Sequence, residues 1–318
     1  MIHSRIAGTG SHLPAKVLTN FDLEKLVDTT DEWIRTRTGI ERRHIAAEGE
    51  TTVDLAEVAA RRALEAAGVA PGDVDFIAFG TTTPDLVFPN CGVLLQARLG
   101  CRGVPAFSVE TACAGFMYAL SIADKYVRCG EAKRALVIGA ETLSRITDWN
   151  DRATAVLFAD GAGAVVLEPS EQPGVLSTHL HADGAYKDLL YCAAGVSRGF
   201  GDKLAIVMSG NEVFKVAVTK LGSAVDETLS ANGLDRSALD WLVPHQANIR
   251  IIQATARRLD MPMERVIVTV QEHGNTSAAS VPLALDVAVR DGRIKRGDLL
   301  LLEAFGGGFT WGSALVRY

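Results

Sequence analysis

The stretch Glu110-Thr111-Ala112-Cys113-Ala114-Gly115 and the stretch Asn275-Thr276-Ser277-Ala278-Ala279-Ser280 stand 165 residues apart and read as two copies of one unit. Thr111 falls on Thr276 and Ala114 on Ala279, and further along Ala119-Leu120 falls on Ala284-Leu285. The same shift lays Gly68, Asp75 and Phe76 on Gly233, Asp240 and Trp241. Two clusters of matches with no change of shift between them point to an internal duplication. A connector at Glu168-Pro-Ser-Glu-Gln-Pro-Gly174 divides the copies into residues 1–170 and 171–318.

Outward from these clusters, short apolar runs alternate with helical patterns. Phe76–Phe79, Ala106–Val109, Ala135–Ile138, Ala164–Leu167, Trp241–Val243 and Leu299–Leu302 read as buried strands. Asp54 to Ala67 and Phe214 to Leu229 carry apolar residues at helical spacing, with Gly68 and Gly233 beyond their ends. Ala112 to Cys129 is apolar almost all round for three turns, which suits a helix inside a core. The alternation predicts an α/β fold with mostly parallel pairing. In such a duplicated fold, equivalent loops meet at a pseudo-twofold axis, and ligands favour the carboxyl ends of strands near that junction.

Composition narrows the function. The 318 residues are 48% apolar and 22% charged, which excludes a disordered chain. The 32 basic and 38 acidic residues give a net charge of −6, so nucleic acid is not an expected partner. No apolar run is long enough to span a bilayer, and Met1–Ile6 has no signal-peptide core, so a cytoplasmic location without membrane attachment is expected. Five cysteines, none in a CxxC pair, predict reduced thiols and neither a disulfide framework nor a metal site.

Four elements have chemical potential. Cys113 opens a buried helix, where backbone N–H groups favour an anion and lower a thiol's pKa; the plain alternative is a small buried hydrophobe. Cys91, Cys101, Cys129 and Cys192 have no such setting and read as packing. His245 follows Leu242-Val243-Pro244 at a strand's carboxyl end, where a neutral imidazole could donate to an oxyanion or activate a thiol; a histidine bonded in a turn is the alternative. Asn275, at a glycine turn, is structural by default and a neutral oxyanion donor if it faces the other two. His273 beside it reads as loop support. Gly306-Gly307-Gly308 lets backbone approach a ligand closely, but no Gly-Lys-Ser/Thr follows, so it is not a phosphate loop. Gly161-Ala162-Gly163 lacks the helix and acidic residue of a dinucleotide site.

With these residues gathered, the chain resembles, nearly end to end, the β-ketoacyl-[acyl-carrier-protein] synthase III family of the thiolase superfamily. The resemblance rests on Thr111–Phe116, Trp241–Asn248, His273–Ser280 and Glu303–Ser313. It implies a five-layered αβαβα fold from two duplicated halves, a homodimer, and a condensing enzyme that initiates type II fatty-acid synthesis. The implied reaction moves a short acyl group, usually acetyl, from acyl-CoA to Cys113 and condenses it with malonyl-acyl-carrier protein. His245 and Asn275 would stabilise the enolate, and the N–H groups of Cys113 and Gly307 would form the acyl-transfer oxyanion hole.

The resemblance also implies CoA contacts at Thr29, Trp33, Arg37, Arg152, Asn211, Asn248 and Phe305. Carrier-protein contacts would fall at Gln246, Ala247, Asn248, Ile249, Arg250, Lys215, Arg257 and Arg258. The acyl pocket would be Phe88, Leu143, Phe158 and Leu190, with Phe88 reaching across a dimer interface. No cofactor is bound permanently; the CoA thioester is a substrate. Tyr191 to Lys203 matches the family poorly, and Glu110-Thr111 replaces the small apolar residues common before the cysteine. Two other readings stay open: a relative that primes a polyketide, quinolone or branched-chain fatty acid, and a non-catalytic paralogue.

Overall fold

The computed structural model describes residues 2–200 and 204–318. The end of the poorly matching segment, residues 201–203, lies outside the described residues. A first sheet holds β1 (His3–His12), β2 (Phe76–Gly80), β3 (Ala106–Val109), β4 (Ala135–Thr142) and β5 (Asp160–Ser170), in the order β1-β5-β4-β2-β3. A second holds β6 (Val175–Ala182), β7 (Trp241–Pro244), β8 (Leu299–Gly306) and β9 (Thr310–Arg317), in the order β7-β8-β9-β6. No strand of one sheet comes from the other side of Ser170.

Pairing is mixed, which corrects the expectation of a mostly parallel fold. β2 runs parallel to β3 and β4, and β7 parallel to β8, but β1, β5, β6 and β9 pair antiparallel. The reason is local: residues 307–309 join β8 to β9, too short a link for a crossover, so the chain turns straight back. The connector also begins later than expected, because β5 runs through Ser170 and the turn occupies 171–174.

Five main helices complete the layers: α1 (Thr52–Ala67), α2 (Gly115–Arg128), α3 (Gly210–Ala231), α4 (Ile249–Arg258) and α5 (Ser280–Arg290). α1 begins at a capping box, in which the Thr51 hydroxyl accepts the Asp54 N–H and the Asp54 carboxylate accepts the Thr51 N–H. α2 and α5 lie between the sheets. Phe116, Leu120 and Ala123 of α2 and Ala284, Leu285 and Ala288 of α5 share one core with Val137 of β4 and Leu300 and Leu302 of β8. The odd-numbered Leu299 and Leu301 face the other way, toward α3 and α4, while α1 covers the outer face of the first sheet. Strands covered on both faces have no polar side, which is why the runs were continuous in the sequence. The result is an αβαβα sandwich.

The 165-residue shift survives in the backbone. 3-10 turns occupy Ala112–Ala114 and Ser277–Ala279, and α2 and α5 start at Gly115 and Ser280. An isolated parallel bridge from Leu242 to Val266 stands in the second half where β3 stands in the first. The helix expected from Ala112 to Cys129 is therefore a 3-10 turn followed by α2, with Cys129 as its C-cap. Cys129 is exposed, not a packing residue, whereas Cys91 and Cys101 are buried. Among the described residues, no helix is long and apolar enough to cross a membrane.

Candidate active site

The two equivalent turns pack against each other, and each rests on a glycine of the opposite half. A Cβ at Gly139 of β4 would stand 2.1 Å from the Ala278 carbonyl oxygen, and one at Gly306 of β8 would stand 2.6 Å from the Cys113 amide nitrogen. Neither position admits a side chain, so the turns reach their places only because both residues are glycine. Gly307 follows, with Ala112 Cβ 3.8 Å from where its own Cβ would be.

Residues 275–280 touch every member of the expected catalytic set. Asn275 is held by backbone on both sides: its N–H donates to Leu157 O and its carbonyl accepts the Ala159 N–H, both at 2.9 Å. Its side-chain Oδ1 accepts the Ser277 N–H at 2.9 Å, which fixes the amide orientation and leaves the Nδ2 protons as donors. The Ser277 hydroxyl is within hydrogen-bonding reach of the Cys113 sulfur. Ser280 Oγ is 2.5 Å from His245 Nδ1. His245 itself is placed by β7, its N–H donating to Glu303 O at 2.8 Å. Cys113, His245 and Asn275 are all buried.

Burial sets the charge states. It pushes the Cys113 thiol up to about 12; the Ser277 hydroxyl offsets part of that, and the charge of Glu141 adds to it. The lowering expected from a helix N-terminus is thus outweighed: the group is cut off from water and sits near a carboxylate. Burial holds His245 down at about 3, so its imidazole is neutral. The site at rest is a thiol, an imidazole and a carboxamide, three uncharged groups that can donate hydrogen bonds without repelling a developing anion.

Three residues here escaped the sequence reading as participants, Glu141, Ser277 and Ser280. Glu141, next to last in β4, is fully buried and accepts from Thr83 Oγ1 at 2.6 Å and from Thr81 Oγ1 and the Thr82 N–H at 3.1 Å each. Burial raises it to about 7, those donors and Ser277 notwithstanding. A lone acidic residue closing the apolar run Ala135–Ala140 was the available signal.

Comparison with known proteins decides the family. Two models described as 3-oxoacyl-[acyl-carrier-protein] synthase III match residues 107–184 and, for its C-terminal part, 229–318. A β-ketoacyl-[acyl-carrier-protein] synthase III of Xanthomonas campestris pv. campestris is 67% identical over 321 residues, covering 100% of this chain and 99% of the relative. The chain belongs to the synthase III family. The 3-oxoacyl-[acyl-carrier-protein] synthase III structure from Aquifex aeolicus VF5 superposes with a TM-score of 0.94 at 49% identity, covering 99% of this chain and 100% of that one. The priming β-ketosynthase of the R1128 polyketide pathway gives 0.94 at 38% identity, covering 99% and 96%. The chain is a decarboxylating condensing acyltransferase that initiates fatty-acid synthesis, and its fold is that of the thiolase-type synthases.

The structure groups some of the family-implied contacts and separates others. The Arg152 guanidinium stacks 4.9 Å from the Trp33 ring centre, and that of Arg37 lies 5.7 Å from it. Thr29 has a buried hydroxyl oxygen without a partner, and Asn211 is exposed. Phe305 is buried among Phe309 and Trp311. Leu143 and Phe158 form one apolar cluster with Ile206, and Leu190 packs against it; Ile206 was not anticipated. Phe88 lies apart from them and is 83% exposed on this chain.

The docking segment needs one correction. Gln246 is buried and its amide is fully engaged: Nε2 donates to Pro244 O and Ile267 O, and Oε1 accepts the N–H groups of Thr269 and Val270. It ties β7 to the loop before Asn275 and cannot face a carrier protein. Asn248 is the N-cap of α4, accepting the Arg250 N–H at 2.8 Å, and Ile249 packs against Gly39. Arg250, Arg257, Arg258 and Lys215 are exposed, with Lys215 bound to Glu212 and Arg258 to Asp226; Ala247 is half-buried.

Proposed function

We propose that Cys113 accepts a short acyl group, acetyl in the simplest case, from acyl-CoA, and that the acyl-enzyme then condenses with malonyl-acyl-carrier protein. The observation that carries this reading is the contact of residues 275–280 with Cys113 and His245 while contributing Asn275 itself. In the first step the Cys113 sulfur bonds to the acyl carbon, the thioester C–S bond breaks, and the thiol proton leaves with the CoA sulfur as CoA-SH. The thiol is neutral at rest, so deprotonation accompanies attack. The N–H groups of Cys113 and Gly307 would hold the tetrahedral oxyanion.

In the second step malonyl-carrier protein loses carbon dioxide. The electrons of the broken C–C bond form an enolate whose oxygen accepts from His245 Nε2–H and Asn275 Nδ2–H. The enolate carbon then attacks the acyl carbon, the acyl C–S bond breaks, and the departing Cys113 thiolate takes up one proton from solvent to return to the resting thiol. An uncharged donor pair suits this step, because a carboxylate beside the enolate would oppose it. The reading needs no resident cofactor, since the CoA thioester is consumed as a substrate.

Trp33 and Arg152 would part to take the CoA adenine between them, with Arg37 on a phosphate. Arg250, Arg257 and Lys215 supply positive charge for an acidic carrier protein. The buried cluster of Leu143, Phe158 and Ile206 limits the acyl chain, though each methylene discriminates by only about 1–3 kcal/mol. The synthase acts as a homodimer in the cytoplasm on this reading.

The test is quenched acylation with acetyl-, isobutyryl- and octanoyl-CoA in parallel. Acetyl-CoA adds about 42 Da to the Cys113 peptide. Dominance by octanoyl-CoA would remove acetyl priming in favour of another pathway, and an adduct on a different cysteine would overturn the nucleophile.

A further inference from the structure

Ser280 Oγ has two contacts, and they are of different kinds. One is the Gln246 backbone N–H at 3.2 Å, a group that can only donate. The other is His245 Nδ1 at 2.5 Å, which donates or accepts according to its tautomer. Other hydroxyls on helices of this chain return their proton to the carbonyl four residues back: Thr38 to Ile34 O, Thr219 to Lys215 O and Thr228 to Ala224 O. Among the described residues Ser280 makes no such bond. Its hydroxyl proton therefore has one acceptor in reach, His245 Nδ1. Were Nδ1 protonated instead, both contacts would donate to Oγ and the Ser280 proton would be left without an acceptor, an arrangement that buried sites avoid.

We infer that Ser280 is a positioning residue that fixes the His245 tautomer, donating its hydroxyl proton to Nδ1 so that the ring's one proton resides on Nε2. The histidine is then locked as a donor at the nitrogen that faces away from Ser280. Ser280 is in turn held by the Gln246 amide, whose residue is anchored through four side-chain bonds. A neutral imidazole free in solution exchanges between two tautomers; here one is selected before substrate arrives, which is the preorganisation that oxyanion stabilisation needs. The same turn applies the same device to Asn275, whose Oδ1 is occupied by the Ser277 N–H. This inference rests on the reading of His245 as an enolate donor.

Nitrogen-15 NMR of the full-length protein with labelled histidine tests it, His245→Gln supplying the assignment. The expected spectrum shows His245 with a protonated Nε2 and an unprotonated Nδ1. A protonated Nδ1 in the wild-type protein overturns the inference, and this measurement needs no Ser280 variant to fold. Ser280→Ala is expected to let the second tautomer appear and to slow carbon dioxide release roughly tenfold, while Cys113 acylation changes by less than about twofold. Ser280→Thr, which keeps the hydroxyl, is expected to restore the Nε2–H signature. An unchanged tautomer together with unchanged carbon dioxide release in Ser280→Ala also overturns it. Should the wild type carry Nε2–H but His245→Ala release carbon dioxide normally, the enolate-donor reading fails and the Ser280 assignment stands.

Discussion

Ala112 and Ser277, 165 residues apart, hold the same left-handed backbone conformation, with φ of 47° and 49°. Asp260 is the one other non-glycine residue with positive φ among those described. Each of the pair begins the 3-10 turn that leads into a central helix, so the strain is a property of the duplicated unit. A left-handed residue with a Cβ costs roughly 1–2 kcal/mol. Ala112→Gly is therefore expected to raise the unfolding free energy by about 1 kcal/mol in denaturant titration. Ser277→Gly relieves the same strain but removes the hydroxyl shared by Cys113 and Glu141, so it should gain stability and lose acylation rate. Equal activity in both variants would show that the Ser277 hydroxyl has no part in the site.

The contact between Gly306 and the Cys113 amide predicts a large effect from one methyl group. A Cβ at Gly306 would lie 2.6 Å from that nitrogen, and relief requires the turn that carries Cys113, the proposed nucleophile, to move. Displacement of a reacting group by about 1 Å costs on the order of 10² in rate. Gly306→Ala should lower Cys113 acylation by about that factor while far-UV circular dichroism stays unchanged. Stopped-flow quench and mass spectrometry read the rate.

Asn275→Asp keeps shape and puts a negative charge where the proposed enolate would form. Loss of one oxyanion donor costs about 10²–10³, and the charge adds repulsion. Carbon dioxide release from malonyl-carrier protein should fall by at least that much, with acylation of Cys113 affected far less. Equal losses in the two half-reactions would contradict the division of labour between the two oxyanion sites.

Burial of the Cys113 thiol predicts its alkylation profile. With the group pushed up to about 12, iodoacetamide labelling of the free enzyme should rise about tenfold per pH unit from pH 6 to 9 without levelling off. A plateau with a midpoint below the ordinary thiol value would mean that the helix end, not desolvation, sets the charge state.

Stability should be flat across a window of mildly acidic pH and fall on both sides. Burial holds His245 near 3 and His273 near 4, below the ordinary 6.5. These groups take up protons more readily in the unfolded chain, so their contribution is complete above 6.5 and is lost as pH falls toward 4 and 3. Burial raises Glu141 to about 7 and Glu303 to about 8, above the ordinary 4.5. Here the folded form keeps the proton, so the contribution is complete below 4.5 and is lost as pH rises through 7 and 8. Between 4.5 and 6.5 the two pairs oppose each other. Beyond either edge each group changes the unfolding free energy by on the order of 1 kcal/mol per pH unit. Urea titrations at half-unit intervals check the shape; a maximum at pH 9 would be incompatible with two buried protonated glutamates.

Much of this was legible in the letters. The repeat at a constant shift announced the doubled α/β unit, because a duplicated fold keeps its glycines, helix starts and strand starts in register even where side chains diverge. The placement of Cys113, His245 and Asn275 was readable as well, since each stands shortly after a strand or at a turn whose pattern is local. Strand direction was not: antiparallel β5 and β9 look like any other buried strand when both faces are apolar. Nor was the role of Gln246, which resembled a surface contact by its place in a motif and proved to be an internal brace.

What the chain's order of residues could not express is which hydroxyl meets which nitrogen. Ser277 and Ser280 lie more than 30 residues from His245 and more than 160 from Cys113, and only the packing of α5 between the two sheets brings them into contact. The charge states followed from the same packing. A thiol at a helix start would be expected to ionise easily, yet enclosure by both halves removes the water that would stabilise the anion. Local pattern governs which residues stand at strand ends and turns, because backbone geometry repeats over a few residues. Desolvation and hydrogen-bond partnership depend on what arrives from elsewhere in the chain, and that is decided only when the two halves close on each other.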